Sequence, residues 1–365
     1  MLLLRATPHD LADAKRALFQ EQEGSRPPPQ GELSPVGKRL QLCYSSGVRC
    51  AFLGCLLLPL VAWSQAAEPA MIAAHDPSTI VKCKDQYWLF STGMGVGSRC
   101  SSDLVHWKMG PQVFPEPPAW ITTVAADNKG YFWAPDVIHL GDRYLLYYSV
   151  STFGKKTSAI ALAVNSTLDP GDPTYHWEDY GIIVQTTERD DFNAIDPCVT
   201  TDASGKLWLA LGSYWSGIKL IELDPATGLR LLPAANVYSL AKHGSIEAAY
   251  IYSHTGFYYL FVNWGQCCRG IESTYNIRVG RSKEITGPYL DRAGIDMRRD
   301  GGSTFLESDG PFIGPGHAGI FSEGGKDWLS YHYYDARNRG RGTLNVVPLE
   351  WGADGWPKAL TKTER

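Results

Sequence analysis

Five short stretches of this 365-residue chain place an acid or a histidine where a β-type run begins. They are His75-Asp76-Pro77-Ser78, Ala134-Pro135-Asp136-Val137, Ile195-Asp196-Pro197-Cys198, Ser245-Ile246-Glu247-Ala248 and Gly316-His317-Ala318-Gly319. Counted from Asp76 through Asp136, Asp196 and Glu247 to His317, the spacings are 60, 60, 51 and 70 residues. Opening a glycosidic bond by inversion takes one carboxylic acid to protonate the leaving oxygen and one carboxylate to deprotonate water, roughly 6.5–9.5 Å apart. A third carboxylate beside the acid keeps it protonated near neutral pH by like-charge repulsion. A single Asp before proline marks a turn and nothing more; recurrence in matched places is what points to chemistry.

The elements that would carry these groups repeat as well. After each opening comes a short apolar run, a turn and an aromatic-rich run, as in Tyr250-Ile251-Tyr252, Ser253-His254-Thr255-Gly256 and Phe257-Tyr258-Tyr259-Leu260-Phe261. Each unit has the signature of a β-hairpin. Outer strands are expected over 98–107, 159–164, 218–223, 277–282 and 344–349. Five such units at a long period predict an all-β fold, a five-bladed β-propeller, in which the first strand of each blade lines one central channel. Residues far apart in sequence then meet on one axis.

Composition supports a single large β unit over residues 67–365, with 37 glycines and 12% aromatic residues. Beyond residue 66 the chain carries 27 Lys and Arg against 33 Asp and Glu, with no basic run, which argues against nucleic acid as a partner. Cys83, Cys100 and Cys198 are expected as buried small hydrophobes or in a structural disulfide, and the adjacent Cys267 and Cys268 either reduced or bridged. Residues 1–37 have no strand or core pattern and read as a disordered extension or a mis-assigned start. Residues 38–66 combine Lys38, Arg39 and Arg49, an apolar run from Ala51 to Trp63, and Ser64-Gln65-Ala66, the order of a secretory signal peptide. A secreted or periplasmic protein, monomeric and without a stable membrane anchor after cleavage, is expected.

Several longer stretches carry a resemblance. Trp133-Ala134-Pro135-Asp136-Val137, Ser149-Val150-Ser151-Thr152-Phe153-Gly154, Asn193-Ala194-Ile195-Asp196-Pro197, Gly212-Ser213-Tyr214-Trp215-Ser216-Gly217, the stretch from Cys267-Cys268-Arg269-Gly270 to Val279-Gly280-Arg281-Ser282 and on to Ile285-Thr286-Gly287-Pro288-Tyr289, and Gly314-Pro315-Gly316-His317 stand in order across residues 72–358. With the openings at Asp76 and Glu247 they closely resemble the endo-α-1,5-L-arabinanases of glycoside hydrolase family 43. The resemblance implies Asp76 as general base, Glu247 as general acid and Asp196 as the carboxylate that tunes and orients the acid. It implies substrate contacts at Trp133, Phe153, Asn193, Ser213, Tyr214 and Trp215, with arabinan and arabino-oligosaccharides as partners. It also implies calcium or another hard ion on the propeller axis, held through water with the help of His317. Asp136 is expected in a structural or hydrogen-bonding role, and His75 beside the site rather than as a catalyst.

Three readings remain open from the sequence. An endo-arabinanase needs an open groove, whereas an exo-acting α-L-arabinofuranosidase or a β-xylosidase on the same fold needs a pocket closed around a chain end. A non-catalytic carbohydrate-binding propeller would keep the aromatic platforms and could lose a carboxylate, yet all three carboxylates are present.

Overall fold

The computed structural model describes residues 72–231 and 236–361. The expected extension at 1–37 and signal segment at 38–66 lie outside the described residues. Five antiparallel sheets follow one another along the chain, which is the predicted five-bladed propeller. Blade 1 runs Val81–Cys83, Gln86–Ser91, Gly97–Ser101 and Trp107–Met109. Blade 2 runs Tyr131–Leu140, Arg143–Val150, Ser158–Asn165 and Glu178–Thr186, with the two-residue strand Gly93–Met94 added beside the first. Blade 3 is Cys198–Thr201, Leu207–Leu211, Ile218–Leu223 and Tyr238–Ala241. Blade 4 is Ile246–His254, Phe257–Trp264, Asn276–Ser282 and Ser303–Leu306. Blade 5 is Phe312–Glu323, Lys326–Asp335, Arg341–Trp351 and Pro357–Ala359. Among the described residues no helix is long and apolar enough to cross a membrane.

The middle strands are apolar on both faces because each blade is sandwiched between two others. In Arg143–Val150, Leu145 and Tyr147 pack toward blade 3, while Leu146 and Tyr148 pack toward blade 1. Side chains alternate across a strand, so a continuous apolar run serves two interfaces at once. The neighbouring strand does the same with different sizes. Ile160 and Leu162 fill the blade 3 side, and Ala159, Ala161 and Ala163 leave room on the other for Phe132, Tyr148 and Trp177. Fully burying a side chain such as Leu145 contributes roughly 1.5–3 kcal/mol.

The ring is closed by the segment just ahead of Asp76. Ala73 bridges Thr343 in blade 5, and the Leu344 amide donates to Ile72 O at 3.0 Å. Arg99 of blade 1 donates from Nε to Ala73 O at 2.7 Å, and from Nη1 to Ser91 Oγ at 2.5 Å. Ile80 and Leu89 of blade 1 meet Leu344, Phe321 and Trp328 of blade 5 in one cluster.

Below the site, contacts between inner strands bind the blades at the axis. Asp136 is buried and accepts the Thr79 amide on Oδ1 and the Val199 amide on Oδ2, both at 2.9 Å, so blade 2 ties blade 1 to blade 3. The Ile251 amide donates to Cys198 Sγ at 3.3 Å, and Tyr250 donates to Ile320 O at 3.0 Å, which continues the circuit through blades 4 and 5. Cys83, Cys100 and Cys198 are buried and form no disulfide. The Cys267 and Cys268 sulfurs lie 2.7 Å apart.

Candidate active site

Each inner strand is entered through one residue in the left-handed region: Asp76 (φ 48°), Ala134 (φ 37°), Asp196 (φ 56°), Ala248 (φ 54°) and His317 (φ 59°). Such conformations are costly for residues with a Cβ and are held only where surrounding structure enforces them. They turn the side chains of Asp76, Asp196 and His317, and of Glu247 one residue before Ala248, into one group at the channel mouth. Asp136 does not join it. It follows its blade's left-handed residue by two positions, so it sits one pleat, roughly 6–7 Å, further along the strand, where its hydrogen bonds are structural. Burial raises its pKa and the two backbone amides oppose that rise.

Asp76 is gripped on both oxygens. His75 Nδ1 lies 2.8 Å from Oδ2, and Thr92 Oγ1 donates to the same oxygen at 2.6 Å. His317 Nδ1 lies 3.5 Å from Oδ1. Burial alone would raise the Asp76 pKa, but the charges and hydrogen bonds of His75 and His317 outweigh it and hold the carboxyl well below its ordinary value. His75 moves the other way: burial would lower it, and Asp76 and Cys268 carry it well above the usual imidazole value. Tyr334 fixes the far side of that ring, with its hydroxyl 2.8 Å from His75 Nε2.

Glu247 and Asp196 form a second, drier pair. Ser213 Oγ donates to Glu247 Oε2 and Tyr275 OH to Oε1, each at 2.8 Å. Asp196 Oδ2 accepts the Ala248 amide at 3.1 Å, which binds it to the residue after Glu247. Burial and then the Glu247 charge push the Asp196 pKa up to about 7. The site therefore holds a proton near neutrality beside an ionised Asp76, the division of labour that acid–base hydrolysis requires.

These groups line a cleft of about 980 Å³ that also takes in Trp133, Phe153, Asn193, Ser213, Tyr214 and Trp215. Trp133 and Phe153 stack on each other, centroids 4.5 Å apart, and Trp215 is 41% exposed. Asn193 Oδ1 accepts Ser158, which leaves its amide nitrogen for a ligand. The Ser213 hydroxyl is committed to Glu247. Tyr275, Thr92, Tyr334 and His332 were not singled out by the sequence; only Tyr275 lies inside a stretch that carried the resemblance, the one from Cys267 to Ser282.

His317 is buried near the axis, and Asp76 raises its pKa against the effect of burial. Calcium takes 6–8 oxygen ligands, and the protein offers no such cage there, since both Asp136 oxygens are occupied by amides. Among the described residues the one His/Asp group close enough to share an ion is His75, Asp76 and His332. His332 Nδ1 already faces the Asp76 amide at 3.1 Å, and two imidazoles with one carboxylate are a poor set for a hard ion. An ion at His317, as the resemblance implies, would have to be held almost wholly through water.

A five-bladed propeller with three carboxylates from three blades in an aromatic-lined cleft defines a glycoside hydrolase. The chain belongs to glycosyl hydrolases family 43, whose model matches residues 68–357. It is 39% identical over 318 residues to an extracellular exo-α-(1→5)-L-arabinofuranosidase of Cellvibrio japonicus, covering 84% of this chain and 91% of that protein. It is 38% identical over 291 residues to an extracellular endo-α-(1→5)-L-arabinanase of Bacillus subtilis, covering 78% and 86%. A solved α-L-arabinanase of Cellvibrio cellulosa, complexed with arabinohexaose, superposes with a TM-score of 0.77 at 38% identity, over 81% of this chain and 97% of that one.

Proposed function

We propose that this enzyme hydrolyses α-1,5-linked L-arabinan by an endo-acting, inverting mechanism. The observation that carries the reading is the contrast between Asp76, held ionised by His75 and His317, and Asp196, which burial and the Glu247 charge keep protonated up to about pH 7 across the same cleft. Asp76 takes a proton from water as that water's oxygen bonds the anomeric carbon. Glu247 gives its proton to the departing sugar oxygen as the glycosidic bond breaks. Asp196 is the carboxylate that tunes the acid and, through the Ala248 amide, is tied to the residue that follows it. Trp133 and Phe153 offer an apolar face to the sugar, and Asn193, Tyr214 and Trp215 flank the chain. An ion such as calcium beside His317 would add positive charge beneath the cleft, and no step is assigned to it.

Exo action is the second reading, favoured by the exo-acting Cellvibrio japonicus relative at 39% identity. Early products from linear 1,5-arabinan separate the two: a ladder of short oligosaccharides supports endo cleavage, and a single small product from the outset supports exo cleavage. Export is proposed from the signal-like order of residues 38–66 and from relatives named extracellular. N-terminal sequencing of the native protein tests it, and a mature chain that retains residues 1–37 would contradict it.

A further inference from the structure

Both oxygens of Glu247 accept a hydroxyl, but the two hydroxyls differ in how they are held. Ser213 belongs to the loop after the second strand of blade 3, next to the cleft-lining Tyr214 and Trp215. Tyr275 stands at the start of the third strand of blade 4, is 2% exposed, and is wedged against blade 5. The wedge is tight. A Cβ at Gly316 would lie 2.3 Å from Cδ1 and Cε1 of the Tyr275 ring, so only glycine leaves space there. The glycine is itself bracketed by Asn263, which donates to Pro315 O at 3.1 Å and accepts the His317 amide at 2.9 Å. The ring therefore has one position, set by two blades.

We propose that Tyr275 is a positioning residue for the general acid: its hydroxyl, 2.8 Å from Glu247 Oε1, fixes the plane of the carboxyl so that its proton meets the leaving oxygen. This rests on the assignment of Glu247 as acid. Burial, followed by the Glu247 charge, drives the Tyr275 hydroxyl far above its usual pKa, so it stays a neutral donor throughout. It neither gains nor loses a proton in the cycle. The proton that reaches the leaving oxygen comes from Glu247, and the one lost by water goes to Asp76.

A residue that aims an acid matters in proportion to how much the leaving group needs that acid. The test compares Tyr275→Phe with the parent enzyme on linear 1,5-arabinan, whose leaving group is an alcohol, and on a 4-nitrophenyl α-1,5-arabino-oligosaccharide, whose leaving phenolate departs with little help. On arabinan kcat is expected to fall about 10–100-fold, the scale of impaired proton transfer, with KM within about threefold, while turnover of the aryl substrate stays within about threefold. Gly316→Ala, which crowds the ring and keeps its hydroxyl, is expected to reproduce this split. Equal losses on both substrates, or no loss on either, would overturn the proposal. Glu247→Gln is the control on the underlying reading: it must show the same dependence on leaving group more strongly. If it loses both substrates equally, Glu247 is not the acid, and the role given to Tyr275 goes with it.

Discussion

His75 and Asp76 are adjacent in sequence and their side chains still meet, with His75 Nδ1 2.8 Å from Asp76 Oδ2. The left-handed backbone at Asp76 permits this by turning the carboxylate back alongside the preceding ring. The imidazole is charged because of the carboxylate, and the carboxylate stays ionised because of the imidazole.

Replacing His75 by Asn removes one cation from Asp76 and leaves His317 alone against burial, which favours the protonated acid. The Asp76 pKa then rises. A protonated base is inactive, so the acidic limb of kcat/KM is expected to move to higher pH by about one unit or more, which pH–rate profiles would read directly. An unmoved limb would mean that His75 carries no charge in the free enzyme.

The Asp196 pKa of about 7 bears on both activity and stability. Activity is expected to fall as pH rises through about 7, where Asp196 beside Glu247 loses its proton. The stability sign follows from proton binding: between the unfolded value of about 3.9 and the folded value, the native state binds more protons, so stability declines as pH rises across that window. Asp196→Asn keeps an oxygen for the Ala248 amide and cannot ionise. It is expected to be nearly inactive, yet more stable at pH 8 by roughly 1–3 kcal/mol, as measured by denaturant unfolding.

Asp136 makes the opposite prediction. Asp136→Ala strands the Thr79 and Val199 amides, each an orphaned buried donor costing about 1–3 kcal/mol. A loss of roughly 2–5 kcal/mol is expected, seen as a lower unfolding midpoint, with near-parental KM in the fraction that remains folded. A catalytic role would instead show as lost turnover at unchanged stability.

Trp133 and Phe153 stack on each other, so truncating either removes half of one platform. Trp133→Ala and Phe153→Ala are each expected to raise KM for arabino-oligosaccharides about 2–12-fold, on the scale of about 0.5–1.5 kcal/mol for an aromatic contact. The double variant should fall short of the product of the two, because neighbouring side chains do not act additively. Steady-state kinetics on a size series of oligosaccharides would show it.

The parts of the fold that were legible share one cause. Blade count, the central hairpins and four of the five opening residues were readable because the same aromatic and β-branched runs recur after Asp76, Asp196, Glu247 and His317. Asp136 looked equivalent in sequence, but one left-handed residue at Ala134 resets the frame by two positions, and a shift of that kind depends on backbone angles that no residue pattern states. The fourth strand of blade 2 was also not placed: Glu178–Thr186 carries Ile182, Ile183 and Val184, yet only Val184 and Thr186 of its residues are buried. Ring closure through Ala73 and Thr343 joins residues 270 positions apart, beyond any local pattern. In the site, Tyr275 and Thr92 escaped notice because a hydroxyl that reaches a carboxylate from another strand looks like any other Tyr or Thr.

Inversion of configuration follows directly from pairing Asp76 as base with Glu247 as acid. Proton NMR of the reducing ends released in the first moments of arabinan hydrolysis reads the configuration before it equilibrates. The β anomer as first product is expected, since water activated by Asp76 must attack opposite the bond that Glu247 protonates. An α anomer would require a covalent intermediate on a carboxylate, and would contradict the assignment of Asp76 as base.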